Sequence, residues 1–309
     1  MFARPPRIAA EVFARLPERF RNSGKRSAWA EVNKAGEDVH SFLEGPAFDR
    51  EGNLYVTDIP FGRIFRIDPA GGWTLVTEYD GEPNGLAFHA DGRLFIADYK
   101  NGIMQLDRDG TVTPVLLKGR GERFRGCNDL TFDAVGNLYF TDQGQSGHHD
   151  PSGRLYRLAA DGRLDCLLSN VPSPNGLVLD RDGRILYLAV TRANAVWRVP
   201  LFEGGTAVSK VGTFIQLSGS LGGPDGLAMD EDDNLVVAHA GLAVWVFSRM
   251  GEPILRIDPG TGPFPTNVAF GPKGRQLYIT ESSSGSILRA ETPAIGRSLY
   301  SHAALEARP

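Results

Sequence analysis

Apolar and polar positions alternate along most of this chain in short runs, broken by Gly- and Asp-rich turns, and from residue 44 onward the runs recur in phase. Six segments align: LEGPAFDREGNLYVTD (43–58), PNGLAFHADGRLFIAD (83–98), CNDLTFDAVGNLYFTD (127–142), PNGLVLDRDGRILYLAVT (174–191), PDGLAMDEDDNLVVAH (224–239) and PTNVAFGPKGRQLYITE (265–281). Each carries a polar residue, an apolar run, a turn and a second β-rich run, which is the pattern of a hairpin. The polar residues in phase are Glu44, Asn84, Asn128, Asn175, Asp225 and Thr266. A strand–turn–strand repeat of about 40–50 residues marks the blades of a β-propeller. Downstream runs such as GRIFRIDPAG and GRLYRLAADG supply third strands, and WTLVTEY and TPVLLK supply fourth strands. The expected fold is therefore all-β, a six-bladed β-propeller in one domain over 1–309. Residues 44–290 form the six blade repeats, EVFARL (11–16) closes the last blade, and the polar stretch 17–43 is a surface excursion.

In a propeller the first strand of each blade lines the central channel. The six in-phase polar residues then form a ring at one mouth, made of two carboxylates, three amides and a hydroxyl. Oxygen donors of this kind suit a hard divalent cation: Ca²⁺ foremost, with Zn²⁺, Mn²⁺ and Mg²⁺ also compatible. Two carboxylates facing a narrow channel without a cation would repel one another and be costly to desolvate. The expectation is a metal site at one mouth of the channel. Asp58, Asp98, Asp142 and Glu281 share a strand-end position and are expected to bind turn amides, with Asp142 near enough to meet a ligand.

Charge and composition exclude several classes of partner. With 33 basic and 37 acidic residues the net charge is -4, and no basic tract tracks phosphates, so no nucleic acid is expected. No apolar run reaches the roughly 20 residues that span a bilayer, so no membrane partner is expected either. The first 20 residues, broken by Arg and Pro, do not read as a secretory signal. Two cysteines, Cys127 and Cys166, fit a reducing cytoplasm. The expected state is a monomer or small homo-oligomer acting on a small molecule.

LEGPAF, RFRGCNDL, PNGLVL and GGPDGLAMD together resemble the motif set of the senescence-marker-protein/gluconolactonase/luciferin-regenerating-enzyme family, over about residues 10–290. The resemblance implies a six-bladed propeller that hydrolyses sugar lactones with a divalent metal. It implies Glu44, Asn175 and Asp225 as metal ligands, with Asn128 completing the shell or meeting substrate. RFRGCNDL and PTNVAFG are similar to the microbial gluconolactonase branch, which implies Arg123 as a substrate contact. Phe48 stands where the family often has Trp, and Cys127 where that branch usually has proline.

The chemistry implied is hydrolysis of a sugar lactone or related cyclic ester. The cation would polarise the carbonyl and lower the pKa of a bound water, with Asp225 as general base. Asn84 and Arg123 orient the sugar hydroxyls. His148 and His149, in the longest loop over the mouth, shape the pocket or carry protons. His239 ends a strand that also reaches the mouth. No G-x-S-x-G elbow is present. Two alternatives stand beside a lactonase: an arylesterase or organophosphate hydrolase on the same scaffold, and a non-enzymatic ligand-binding propeller with a structural metal.

Overall fold

The computed structural model describes residues 4–119, 121–272 and 274–302. Each in-phase pair of apolar runs folds as an antiparallel hairpin, and third and fourth strands extend it outward. The first strands are Leu43–Phe48, Pro83–Phe88, Cys127–Phe132, Pro174–Leu179, Gly223–Met229 and Pro265–Phe270. Each touches the next in chain order and the last touches the first, which closes a ring around a central channel. The fold is the expected all-β, six-bladed β-propeller.

Closure uses the N-terminal strand as the sequence suggests. Glu11–Arg15 pairs antiparallel with the third strand of blade six, Ser286–Glu291, and so serves as its outer strand. Arg7–Ala9 adds a strand that the repeats do not reveal. It runs parallel to Pro253–Asp258 and makes blade five five-stranded. A hydrogen bond from Thr266 Oγ1 to the Leu43 carbonyl, 2.9 Å, fastens blade six to blade one. Between these blades pack Leu43, Phe48, Val56 and Phe65 with Ala269 and Ile287. The other face of the same strands is also buried: Ala47 and Ile64 pack with Leu86, Leu94 and Ile96 of blade two.

Stretch 17–43 is not a simple surface excursion. It contains a short helix α1, Ala28–Asn33, whose Trp29 and Ala30 are buried against Ile59. Polar residues surrounding one tryptophan hid this from a reading based on repeats, because a six-residue helix lacks a legible period.

Candidate metal centre

The ring residues reach the axis because the ladder slips near the start of the first strand, over nearly the same stretch in five blades and one residue shorter in the sixth. Regular pairing between first and second strands is interrupted after Glu44, Pro83, Cys127, Pro174 and Pro224 and resumes at Ala47, Leu86, Leu130, Leu177 and Leu227. Such bulges bend a strand and re-aim side chains. The residue after the ring position then lies against the neighbouring blade, and in four blades it is Gly45, Gly85, Gly176 or Gly226. A Cβ at Gly85 would overlap Asp129 Oδ1 and stand 2.7 Å from its Cα. One at Gly226 would overlap Asn267 Oδ1 and stand 2.6 Å from its Cα. Gly226→Ala is expected to destabilise the protein by about 1–3 kcal/mol, read as a lower urea midpoint with unchanged m-value.

Blades three and six place Asp129 and Asn267 in that slot, and these two side chains fill the axis. Asn267 Nδ2 donates to Glu44 Oε2 at 2.9 Å and faces Asp129 Oδ2 at 3.4 Å. Glu44 Oε2 also accepts from the Gly45 amide at 2.8 Å. Asn175 stands close enough to Asp225 to favour its charged form. Asn128 Nδ2 donates to Gln143 Oε1 at 3.1 Å, and Gln143 in turn donates to Ser173 Oγ. The Asn128 amide nitrogen is thus engaged by a neighbouring loop, which frees its carbonyl oxygen as a donor atom. Thr266 belongs to the ring, but its hydroxyl is spent on the Leu43 carbonyl.

Three carboxyls are thereby enclosed together, and burial dominates their chemistry. Burial pushes Glu44 up to about 7, against the hydrogen bonds from Gly45 and Asn267. Asp129 is also pushed up to about 7, by burial and then by the Glu44 charge. Asp225 is raised well above the usual carboxylate range by burial, with repulsion from Glu44 next. Asp225 is half-buried, whereas Glu44, Asn84, Asn128 and Asn175 are buried. Among the described residues, no three His, Cys, Asp or Glu side chains are arranged as a metal-binding cluster. The donor set is instead mixed, with Glu44 and Asp225 beside the amides of Asn128 and Asn175. An all-oxygen set holding two buried like charges fits a hard cation, which would relieve the repulsion that raises both groups.

The two ends of the channel differ. A cavity of about 1040 Å³ opens from the hairpin end, walled by Phe48, Phe88, Phe132, Leu179, Met229 and Phe270. Asp129 and Asn267 also line it, whereas Glu44, Asn128, Asn175 and Asp225 do not. The potential ligands therefore face the opposite mouth.

Helix α1 lies across that mouth. Ser27 Oγ donates to the Pro60 carbonyl in blade one, at 2.9 Å. Gln145 Nε2, in blade three, donates to Asn33 Oδ1 at 2.9 Å and to the Tyr99 hydroxyl of blade two at 2.6 Å. Trp29 packs on Phe42, centroids 4.8 Å apart. Lys34, just after the helix, lays its ammonium 4.2 Å from the Phe42 ring centre and 5.4 Å from that of Phe264. Burial lowers the Lys34 pKa, while the Asp225 carboxylate works against that shift.

The other candidates fall in distinct places. Asn84 is buried in the ring. Arg123 is exposed on a two-stranded hairpin, Lys118–Gly119 with Glu122–Arg123, where it pairs with Lys118. His148 and His149 are exposed on the 143–152 loop. His239 is buried, with Nε2 3.0 Å from Asn194 Oδ1, and burial lowers it to about 4. The strand-end acids bind turn amides as expected: Asp58 accepts from Phe42 N at 2.7 Å, and Asp142 from Arg125 N and Gly126 N at 2.7 and 2.9 Å. Cys127 is fully buried and its thiol is pushed well up, which leaves no thiolate for nucleophilic chemistry. Three residues escaped the sequence reading: Asp129, Asn267 and Lys34. The first two had a signal, since CND and PTN carry a polar residue where four other repeats carry glycine.

Comparison with known proteins agrees with this architecture. The model of the SMP-30/Gluconolactonase/LRE-like region matches residues 42–283. Lactonase drp35 of Staphylococcus aureus strain MW2 is 33% identical over 282 residues, covering 84% of this chain and 84% of the relative. Diisopropyl-fluorophosphatase of Loligo vulgaris is 31% identical over 301 residues, covering 86% and 94%. Among solved structures, the calcium-binding protein regucalcin from Agrobacterium tumefaciens superposes with a TM-score of 0.73 at 24% identity, over 84% of this chain and 93% of that one.

Proposed function

The chain belongs to the SMP-30/gluconolactonase/LRE-like family, and from that premise we propose that it is a divalent-cation-dependent lactonase, opening a sugar lactone or related small cyclic ester to the hydroxy acid. What supports this reading is the nearness of the Glu44 and Asp225 carboxyls to one another and of Asn175 to Asp225, with the buried Asn128 at the equivalent repeat position. These four residues would hold the ion, and Ca²⁺ suits their oxygen donors best. When bound, such an ion supplies Lewis-acid polarisation of the carbonyl and an acidified water.

The chain's own residues do the rest. Asp225, half-buried beside Asn175, takes a proton from the attacking water as general base. The water oxygen bonds to the carbonyl carbon, the ring C–O bond breaks, and Asp225 returns the proton to the departing alkoxide. Asn84, buried at its ring position, is assigned to orient substrate hydroxyls, and Arg123, His148 and His149 to the substrate rim. α1 with Trp29 and Phe42 excludes bulk water, which strengthens every charge interaction beneath it.

A second reading has its own support. The mouth is framed by Trp29, Phe42 and Phe264, an aromatic wall that suits aryl esters, and one relative is named a fluorophosphatase. A pH-indicator assay separates the two, using metal-stripped protein with each divalent ion restored. Aldonolactones, aliphatic lactones, dihydrocoumarin, phenyl acetate and diisopropyl fluorophosphate form the panel. Lactone turnover that returns with metal supports the proposal; ester or P–F turnover without lactone turnover replaces it with the second reading.

The pocket also predicts an effect of its axis residues. Asp129→Asn removes one of three crowded carboxyls while keeping the contact to Asn267. It is expected to stabilise the metal-free protein at neutral pH by about 1–3 kcal/mol, measured as a higher urea midpoint.

A further inference from the structure

Lys34 is a cation that the reaction as described leaves unused. Lys34 is half-buried at the mouth, near enough to Asp225 and Glu44 for their charges to act on it, and the Arg192 charge acts on it as well. Among the described residues it makes no hydrogen bond and no ion pair within 4 Å; the faces of Phe42, Phe264 and Trp29 hold it instead. Aromatic faces stabilise a cation without using its N–H donors, so three donors stay directed to whatever enters the mouth. Glu37, the other acid acting on Lys34, is exposed, and solvent screens it.

Charge then selects the visitor. A divalent ion on Glu44 and Asp225 balances those two carboxylates, while the third, Asp129, lines the cavity at the hairpin end beside Asn267, away from this mouth. Lys34 and Arg192 are left uncompensated at the entrance, Arg192 on the exposed turn Thr191–Ala193 of blade four. A neutral lactone offers nothing to two such charges; an acidic one does. Lys34 also lies outside residues 42–283, the part matched by the family. The segment that bears it, just after α1, lies over the site rather than in the blades, and substrate choice is the property that segments over a common site adjust.

Resting on the lactonase reading above, we propose that Lys34, supported by Arg192, is a specificity-determining residue that receives an anionic substituent of the substrate, so that the preferred lactone carries a carboxylate or a phosphate in addition to its ring ester. The ring carbonyl then faces Glu44 and Asp225 while the acidic group lies under α1 against the ammonium.

Matched pairs test this. γ-Butyrolactone is compared with its γ-carboxylated derivative, 5-oxotetrahydrofuran-2-carboxylate, and glucono-δ-lactone with its 6-phosphate. In the calcium-loaded wild type, the acidic member of at least one pair is expected to have the higher kcat/KM, carried by KM, and the pair showing it names the anion. Lys34→Gln is expected to shrink that ratio about tenfold or more, and Lys34→Arg to retain it. Calorimetry provides a readout without turnover: 2-hydroxyglutarate, the ring-opened dicarboxylate, should bind the calcium-loaded protein more tightly than 4-hydroxybutyrate, and Lys34→Gln should erase the difference. Equal treatment of both members of both pairs by the wild type, or a ratio that survives Lys34→Gln, overturns the proposal. If no lactone is opened yet the Lys34-dependent dicarboxylate binding persists, the anion site stands and the lactonase reading falls.

Discussion

Asp225→Asn is expected to lower kcat/KM for the best lactone about a thousandfold or more, with Glu44→Gln close behind. Both substitutions keep an oxygen donor and nearly the same volume, so the loss should not come from collapse of the channel. For Asp225 two terms combine: a positioned general base contributes about 10²–10⁴ in rate, and removing one of two charged ligands weakens a hard-cation site. Glu44→Gln loses only the second term directly, so added Ca²⁺ should rescue it further than Asp225→Asn. Steady-state rates across a calcium titration check this, with thermal unfolding to show that each variant is folded. Asp225→Asn with near wild-type kcat at saturating calcium would remove Asp225 from the proton transfer and leave it as a ligand alone.

Stripping divalent ions is expected to lower the unfolding temperature at about pH 8 by roughly 5–15 °C, since an ion at a thousand times its Kd adds about 4 kcal/mol. The same treatment should have much less effect at about pH 5, where protons replace the ion on the raised carboxyls. The sign follows from the carboxyls themselves. Glu44 and Asp129 titrate at about 7 in the folded, metal-free protein, above their ordinary 4.5 and 3.8. Between those limits the folded state holds protons that the unfolded chain has released. The stability they confer is full below the unfolded values and is lost as pH rises through about 7; a shift from 4.5 to about 7 corresponds to about 3 kcal/mol. Metal-free protein should therefore weaken from pH 5 to pH 8, and calcium should flatten that slope. An unfolding temperature indifferent to calcium at pH 8 would mean that the ring holds no ion.

The blades, their order and the closing strand Glu11–Arg15 were legible because hairpins are local. Period-two alternation and a turn lie within some 20 residues, and six copies in phase leave few other architectures. The ring was legible for the same reason, since equal repeat position means equal height along the axis. Thr266 shows where that logic stops: its position was right, but its hydroxyl turns to the Leu43 carbonyl. Repeat phase fixes where a Cα stands; the direction of a side chain depends on neighbours from another blade.

By itself the sequence determined the six-bladed propeller and the repeat position at which each first strand begins. The tertiary structure alone decided that Asp129 and Asn267 fill the axis, that Asn267 ties Glu44, and that Lys34, at the end of α1, sits among Phe42, Phe264 and Trp29. Glu44 and Asn267 lie 223 positions apart, and only closure of the ring brings them within a hydrogen bond. Burial, which sets the charge state of all three carboxyls, is likewise a property of the closed ring, because no short stretch of chain can keep water from them.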